Sequence, residues 1–365
     1  MSLSGKKYVF LSCVFLVLFS CVYYWAFVFQ YGSPVRAAWW LKNVYDIKEN
    51  IGESITGRKI IIVSGSNSWF GMNSSIIEAA TGKKVLNLSG HASLDINFHY
   101  FKLEQLIGEG DIVVMPLEGD YYFRGSEITE WFNNNMMAWG DAYLAQLPVH
   151  QYVHFLIVTP SISVFEGLTK IGGPSKMLPA KEAINEFQRM VDTEGSAWRG
   201  YSFRSMGRSG AINVDEKTTE RVISTYAEGA LYFPADQVVS DYFVRGYEKI
   251  NRLVKKHNGK LMLTWPATIR RGISDLSLDH NQKNILALKE QLEEKNIPIF
   301  CNPALLNLDI RFFFNTNYHS NRHGGNIRSK NLALCVNNFL SGSSEMNVVF
   351  DEALQLVRKQ EAFYQ

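Results

Sequence analysis

The sequence predicts an α/β protein with a mainly parallel sheet, preceded by one apolar helix long enough to cross a bilayer. Three observations predict it. Residues 8–31 (YVFLSCVFLVLFSCVYYWAFVFQY) are apolar, and no charge occurs between Lys7 and Arg36. Short β-branched runs alternate with helical patterns from residue 57 to residue 116. The same alternation resumes from residue 239 to residue 340. Strands separated by helices build parallel sheets through crossover connections.

Residues 8–31 come first in the chain. A bilayer core about 30 Å thick needs about 20 apolar residues in a helix, and a buried core helix rarely lacks a polar face for so long. Lys6 and Lys7 precede the run, which favours a cytoplasmic N-terminus; Arg36 and Lys42 follow it, so the asymmetry is small. A cleaved signal peptide would have a shorter apolar stretch ending in small residues. This one ends among Trp25, Phe27 and Phe29, which favours a retained anchor. Leu18-Phe19-Ser20-Cys21 is a poor match to a lipoprotein site, because the apolar run continues past Cys21.

The expected organisation is a cytoplasmic tail (1–7), the anchor (8–31), a helical stalk (32–56), an α/β domain (57–342) and a C-terminal helix (343–365). Gly32-Ser33-Pro34 ends the anchor. Strands are expected at 59–63 (KIIIV), 84–88 (KVLNL), 111–116 (DIVVMP), 260–265 (KLMLTW) and 298–301. Uninterrupted apolar runs of this kind suit strands buried on both faces. Helices are expected at 74–80, 98–107, 239–257, 281–295, 325–340 and 346–362. Residues 125–233 break the pattern and read as a helical insertion with poorly ordered loops, including Gly172-Gly173-Pro174 and the polar stretch 207–217.

Composition excludes several classes. A net charge of +2 offers no basic field for nucleic acid. No nucleotide-binding glycine pattern occurs, and His91 and His99 lack a partner at metal spacing, so no cofactor or metal is expected. Cys301 and Cys335 either pair in an oxidising compartment or stay buried thiols.

Ligands of open parallel sheets bind beyond the carboxyl ends of the strands. The residues there are Ser64-Gly65-Ser66-Asn67-Ser68 after the first strand, Ser89-Gly90-His91 after the second and Glu118-Gly119-Asp120 after the third. A later polar loop, Asn315-Thr316-Asn317-Tyr318-His319-Ser320-Asn321, leads through Gly324-Gly325 into the 325–340 helix. Each segment alone is an ordinary turn or solvated helix start. Together they place a serine and a histidine where one sheet brings both near the same rim.

Gly65-Ser66-Asn67, with the Tyr318-His319-Ser320-Asn321 block and Gly324, resembles the SGNH (GDSL-like) hydrolase family. The nearest likeness is to its membrane-anchored branch of cell-envelope polysaccharide O-acetylation and D-alanylation proteins. It covers about residues 57–125 and 240–340. The resemblance implies a flavodoxin-like three-layer α/β/α fold and an acyltransferase or esterase with Ser66 as nucleophile and His319 as base. It also implies an oxyanion hole drawn from Asn67, Ser89 and Gly90. Ser68 is the alternative nucleophile. Two departures stand out: Asn315 occupies the place of the triad aspartate, and Glu118 lies where an oxyanion asparagine belongs. Asp309 or Asp95 would be the substitute acids. The implied partners are a surface polysaccharide, a membrane-bound O-acyltransferase and, through residues 8–31, the bilayer of a bacterial cytoplasmic membrane, with the body on the periplasmic side. The rival readings are a catalytically weak glycan-binding subunit and a purely structural envelope protein. Arg322, His323 and Arg328 offer an anionic polymer a contact, and Trp131, Trp139 and Trp198 offer sugars a stacking surface; solvation and core packing are the ordinary alternatives.

Overall fold

The computed structural model describes residues 3–33, 36–171, 177–193, 197–215, 233–234, 236–342 and 349–364. The Gly172-Gly173-Pro174 break, the end of the 207–217 stretch and the first three residues of the helix expected at 346–362 lie outside these. In chain order the elements are α1 (Leu3–Phe29), α2 (Trp40–Ser54), β1 (Lys59–Ile62), α3 (Ser66–Trp69), α4 (Ser74–Thr81), β2 (Lys84–Asn87), α5 (Ile96–Glu104) and β3 (Ile112–Pro116). Then come α6 (Asp120–Phe123), α7 (Glu130–Trp139), α8 (Asp141–Ala145), α9 (Val149–Val158), α10 (Ser161–Thr169) and α11 (Ala180–Thr193). The C-terminal part holds α12 (Asp241–Lys256), β4 (Lys260–Thr264), β5 (Thr268–Ile269), α13 (Asp279–Glu294), β6 (Ile299–Phe300), β7 (Asn307–Leu308), α14 (Arg322–Leu340) and α15 (Phe350–Ala362).

The chain divides into two compact units. One comprises residues 1–42 and 128–178; the other comprises 43–127 and 179–365. The segment expected as one insertion, 125–233, is therefore divided between them. In the first unit α1 is long and apolar enough to span a membrane, and α7 to α10 are its companions.

The second unit is built on a five-stranded sheet in the order β2-β1-β3-β4-β6, with every pairing parallel. Ile60, Ile61 and Ile62 pair with Val85, Leu86 and Asn87 on one side and with Ile112, Val113 and Val114 on the other. Alternate residues face opposite ways. Ile60, Ile62, Val85, Ile112 and Val114 pack with Ile77 of α4 and Leu332 and Val336 of α14. Helices α5 and α12 pack together, and α12 lies on β4. Both faces of β1 and β3 are thus buried, which is why these strands read as unbroken apolar runs.

The chain leaves β1 toward β2 on one side while β3 lies on the other. This reversal falls between β1 and β3, whose carboxyl ends are the usual place for a ligand in such sheets. A two-stranded parallel sheet, β5 with β7, adjoins the last turns before α14.

The polar stretch expected to be a loose loop is well anchored where it is described. Ile212 exchanges backbone hydrogen bonds with Trp69 and Gly71, Ser209 O accepts from Asn87 N at 2.9 Å, and Val214 O accepts from Arg322 N at 2.7 Å. Ala211, Ile212 and Val214 are buried. Sequence polarity hides this, because backbone groups make the contacts.

Cys301 and Cys335 form a disulfide with a Cα–Cα distance of 5.3 Å, tying the end of β6 to α14. Closing a loop of 34 residues restricts the unfolded chain. Cys335→Ser is expected to lower stability by about 2–4 kcal/mol. Urea unfolding of the full chain in detergent, with thiol titration of both proteins, measures it.

Candidate active site

The site grows from the turn after β1. Ser64 to Ser68 run from the strand into α3, and this turn is gripped by two buried side chains of opposite charge. Below it, the Glu118 carboxylate, at the end of β3, accepts hydrogen bonds from Gly65 N at 3.1 Å, Asn67 N at 2.9 Å and Ser64 Oγ at 3.2 Å. From α14, the Arg328 guanidinium donates to Asn67 O, to Asn67 Oδ1 at 2.5 Å and to Ser68 Oγ at 3.0 Å. Both charged residues are 1% exposed. Burial pulls Arg328 down to about 9, against the opposing pull of Glu118, so it stays charged near neutrality.

Glycine at position 65 is required by space. A Cβ there would collide with the Glu118 carboxylate and approach Ala92 Cα at 2.6 Å. Gly71, at φ +64°, allows the chain to leave α3 so closely against Ser320 that a Cβ would approach Ser320 Cβ at 2.5 Å.

This network decides the fate of the expected oxyanion donors. The Asn67 side chain donates to Ser64 Oγ and Pro116 O and accepts from Arg328 and Ser68, and its N–H goes to Glu118. Ser89 N donates to Asn87 Oδ1 at 3.1 Å, and Gly90 N donates to Ser64 O at 3.1 Å. All three residues spend their N–H groups on holding the turns together. The alternative nucleophile, Ser68, is fully buried with its hydroxyl shared between Asn67 and Arg328. Arg328 itself is buried with the turn atoms as its partners, which corrects both readings offered for it, a solvated helix start and a polymer contact.

Ser66 differs from its neighbours. It is half-buried, and its hydroxyl and its N–H have no hydrogen-bond partner among the described residues. One helical turn later, Phe70 N donates to Ser66 O at 3.0 Å. The Phe70 ring lies flat against the His319 imidazole, with centroids 4.0 Å apart and planes within 8°. The serine turn and the late histidine loop, more than two hundred residues apart in the chain, therefore meet through this stack.

Asn315 orients the imidazole. Its Nδ2 donates to Tyr201 Oη at 2.8 Å, leaving Oδ1 to accept from His319 Nδ1 at 2.7 Å. That arrangement puts the ring proton on Nδ1 and the lone pair on Nε2, and Nε2 has no hydrogen-bond partner among the described residues. The substitute acids are engaged elsewhere. Asp309 accepts from Arg311 N, and Asp95 caps α5 through Asn97 N and accepts from Tyr242 Oη. With an amide in place of a carboxylate nothing offsets desolvation, and burial lowers the His319 pKa to about 3, with His91 adding to the effect. His91 accepts the Ser93 N–H on Nδ1 at 3.1 Å, and burial beside Arg124 lowers its pKa to about 4.

An aromatic cluster gathers around Phe70, the ring that stacks on His319. Trp198, Tyr201 and Phe314 all lie within 6.2 Å of the Phe70 centroid, and Trp198 packs edge-on against both Tyr201 and Phe314. Of the other tryptophans, Trp139 is buried and donates to Asn135 Oδ1, a core contact. Under the far side of the turn, Lys48 of α2 donates to Asn87 O at 2.8 Å and to Ser89 O, and its burial lowers its pKa.

Sequence reasoning missed Phe70, Tyr201 and the structural part played by Glu118 and Arg328. Glu118 carried a signal, since a carboxylate where an amide is expected must find donors. Arg328 carried none, because its position in a polar helix start looks solvated. Comparison with known proteins found no matching family model and no matching curated relative.

Two tests follow. Arg328→Met removes three hydrogen bonds to the turn and leaves the buried Glu118 carboxylate without its opposing charge, so it is expected to destabilise the protein by about 3–5 kcal/mol. Adding Glu118→Gln should bring the total below the sum of the single losses; urea unfolding of all three variants measures the coupling. His319, His91 and His99 have folded pKa values of about 3, 4 and 3, below the ordinary 6.5. The unfolded chain therefore binds more protons between these values. Stability is expected to be full above pH 6.5 and to fall as pH drops from 6.5 toward 4, and His319→Gln should flatten that slope. Unfolding midpoints across that range measure it.

Proposed function

We propose that this protein is an extracytoplasmic acyltransferase or esterase, anchored by α1 in a bacterial cytoplasmic membrane, that moves an acyl group on a surface polysaccharide. One observation carries the reading: His319 is held at Nδ1 by Asn315 and stacked on Phe70, one helical turn from Ser66, and among the described residues neither His319 Nε2 nor the Ser66 hydroxyl has a hydrogen-bond partner. The strand-order reversal beside the turn, the Gly65 close approach and the Cys301–Cys335 disulfide, which suits an oxidising compartment, support it.

In the proposed reaction Ser66 Oγ attacks the acyl carbonyl carbon while His319 Nε2 takes the hydroxyl proton. The Ser66 N–H donates to the oxyanion that forms. The tetrahedral intermediate expels the donor alcohol, which takes the proton back from His319. A sugar hydroxyl, or water, then attacks the Ser66 ester, with His319 again accepting and returning the proton. An oxyanion donor is worth about 2.7–4 kcal/mol of barrier, so a site whose other expected donors are engaged works slowly. A membrane-bound O-acyltransferase is the proposed supplier of the acyl group, and no cofactor is needed. Trp198 and the partly exposed Tyr201, both packed on Phe70, provide aromatic faces on which a pyranose ring stacks.

A second reading has its own observation. With Asn315 as orienter, His319 is a weak base, and the Asn67, Ser89 and Gly90 donors are consumed internally. These features suit an accessory subunit that binds glycan and presents it to the acyltransferase.

A serine-directed fluorophosphonate separates the two. Wild type is expected to label, Ser66→Ala to stay unlabelled, and Asn315→Ala to label at least about tenfold more slowly, short of the roughly 10⁴-fold loss seen when a carboxylate orienter is changed. A folded wild type that never labels removes the acyl-transfer reading and leaves glycan binding, measured as loss of polysaccharide affinity in Trp198→Ala.

A further inference from the structure

The first unit contains an unexplained apolar surface. Val149, Ile157, Ile162 and Phe165 of α9 and α10 are each 65% exposed or more. No Asp, Glu, Lys or Arg occurs between Asp141 and Glu166. The two helices meet at 81° across the Thr159-Pro160 break.

Their level along α1 says what covers this surface. At the bend, the Tyr23 hydroxyl lies 3.3 Å from both Leu156 O and Thr159 O. Farther up the first arm, Tyr152 touches Phe27 and shares a hydroxyl contact of 3.2 Å with Tyr31. On the second arm Gly167 packs so tightly on Gln30 that a Cβ would approach Gln30 Oε1 at 2.5 Å. Glu166 then reaches Arg36, past the end of the apolar span. The bend therefore sits beside Tyr23 and the arm ends beside Gln30 and Tyr31. At 1.5 Å per residue that is a descent of about 10 Å into the span. The pair is a V with its point toward the middle of α1.

A bend in hydrocarbon needs partners for the backbone groups it frees. Side chains supply some of them here. The Tyr23 hydroxyl, with its one proton, lies within reach of the carbonyls of Leu156 and Thr159. Thr159 N donates to Phe155 O at 3.1 Å, the Thr159 hydroxyl donates to the same oxygen at 2.7 Å, and Asn133 Nδ2 donates to Thr159 Oγ1 at 2.8 Å.

We propose that α9 and α10 form a re-entrant hairpin that enters the membrane leaflet beside the C-terminal half of the anchor, with Ile157, Ile162 and Phe165 against lipid acyl chains. The proposal rests on reading α1 as a membrane span. It makes the attachment two-part: a single spanning helix plus a wedge in one leaflet.

The test uses full-length protein in phosphatidylcholine vesicles, with environment-sensitive fluorophores on single thiols and acyl chains brominated for quenching. Cys13 reports the anchor in a Cys21→Ser chain. Ile157→Cys and Phe165→Cys report the hairpin, and Asp279→Cys reports water, each in a Cys13→Ser, Cys21→Ser chain. Probes at 157 and 165 are expected to be quenched severalfold more than the probe at 279, approaching Cys13. If Cys13 is quenched but 157 and 165 behave like 279, the hairpin is overturned and the anchor stands. If 157 and 165 are shielded from water yet unquenched, they pack on protein, and the proposal is equally overturned. If Cys13 is itself unquenched, the anchor reading fails and takes the hairpin with it.

Discussion

The second unit depends on a buried pair of opposite charges. Glu118 and Arg328 come from different elements, the end of β3 and the middle of α14, and each closes its hydrogen bonds on the same five-residue turn. Neither is affordable alone, because a lone charge at that depth has no solvent to stabilise it. Once both are present, Gly65, Asn67 and Ser68 are held by main-chain and side-chain contacts, and Ser66 is left half-buried with its hydroxyl unengaged among the described residues.

The same economy explains why this site differs from a strong Ser-His-Asp arrangement. A carboxylate in the position of Glu118 draws in the N–H groups that would otherwise face an oxyanion. An amide in the position of Asn315 orients the imidazole without adding charge, so burial dominates and the ring stays neutral. Shape adds to that orientation, through the flat Phe70 stack and the aromatic residues behind it. The site combines a hydroxyl and an imidazole nitrogen that have no hydrogen-bond partner among the described residues with modest electrostatic assistance.

Much of the frame was legible from the chain. Runs such as KIIIV and DIVVMP need a dry environment on both faces, and only a covered parallel sheet provides it. Charge-free length alone marked α1 as a possible span. The turns at Gly65 and the loop around His319 were legible as candidates because they follow strands or precede a helix. The observed strand and helix limits lie within a few residues of those expected, as with β3 at Ile112–Pro116 against 111–116.

What the sequence by itself determined was therefore periodicity: which segments are apolar throughout, which alternate, and where glycine and small polar residues interrupt them. What only tertiary structure decided was partnership. That Arg328 points inward, that Asn67, Ser89 and Gly90 spend their donors on the turns, and that Phe70 seats His319 all depend on residues distant in sequence. The bend of α9 and α10 beside Tyr23 is of the same kind. A hydrogen bond or a ring stack is decided by angstroms between groups far apart in the chain, and local pattern carries no record of those distances.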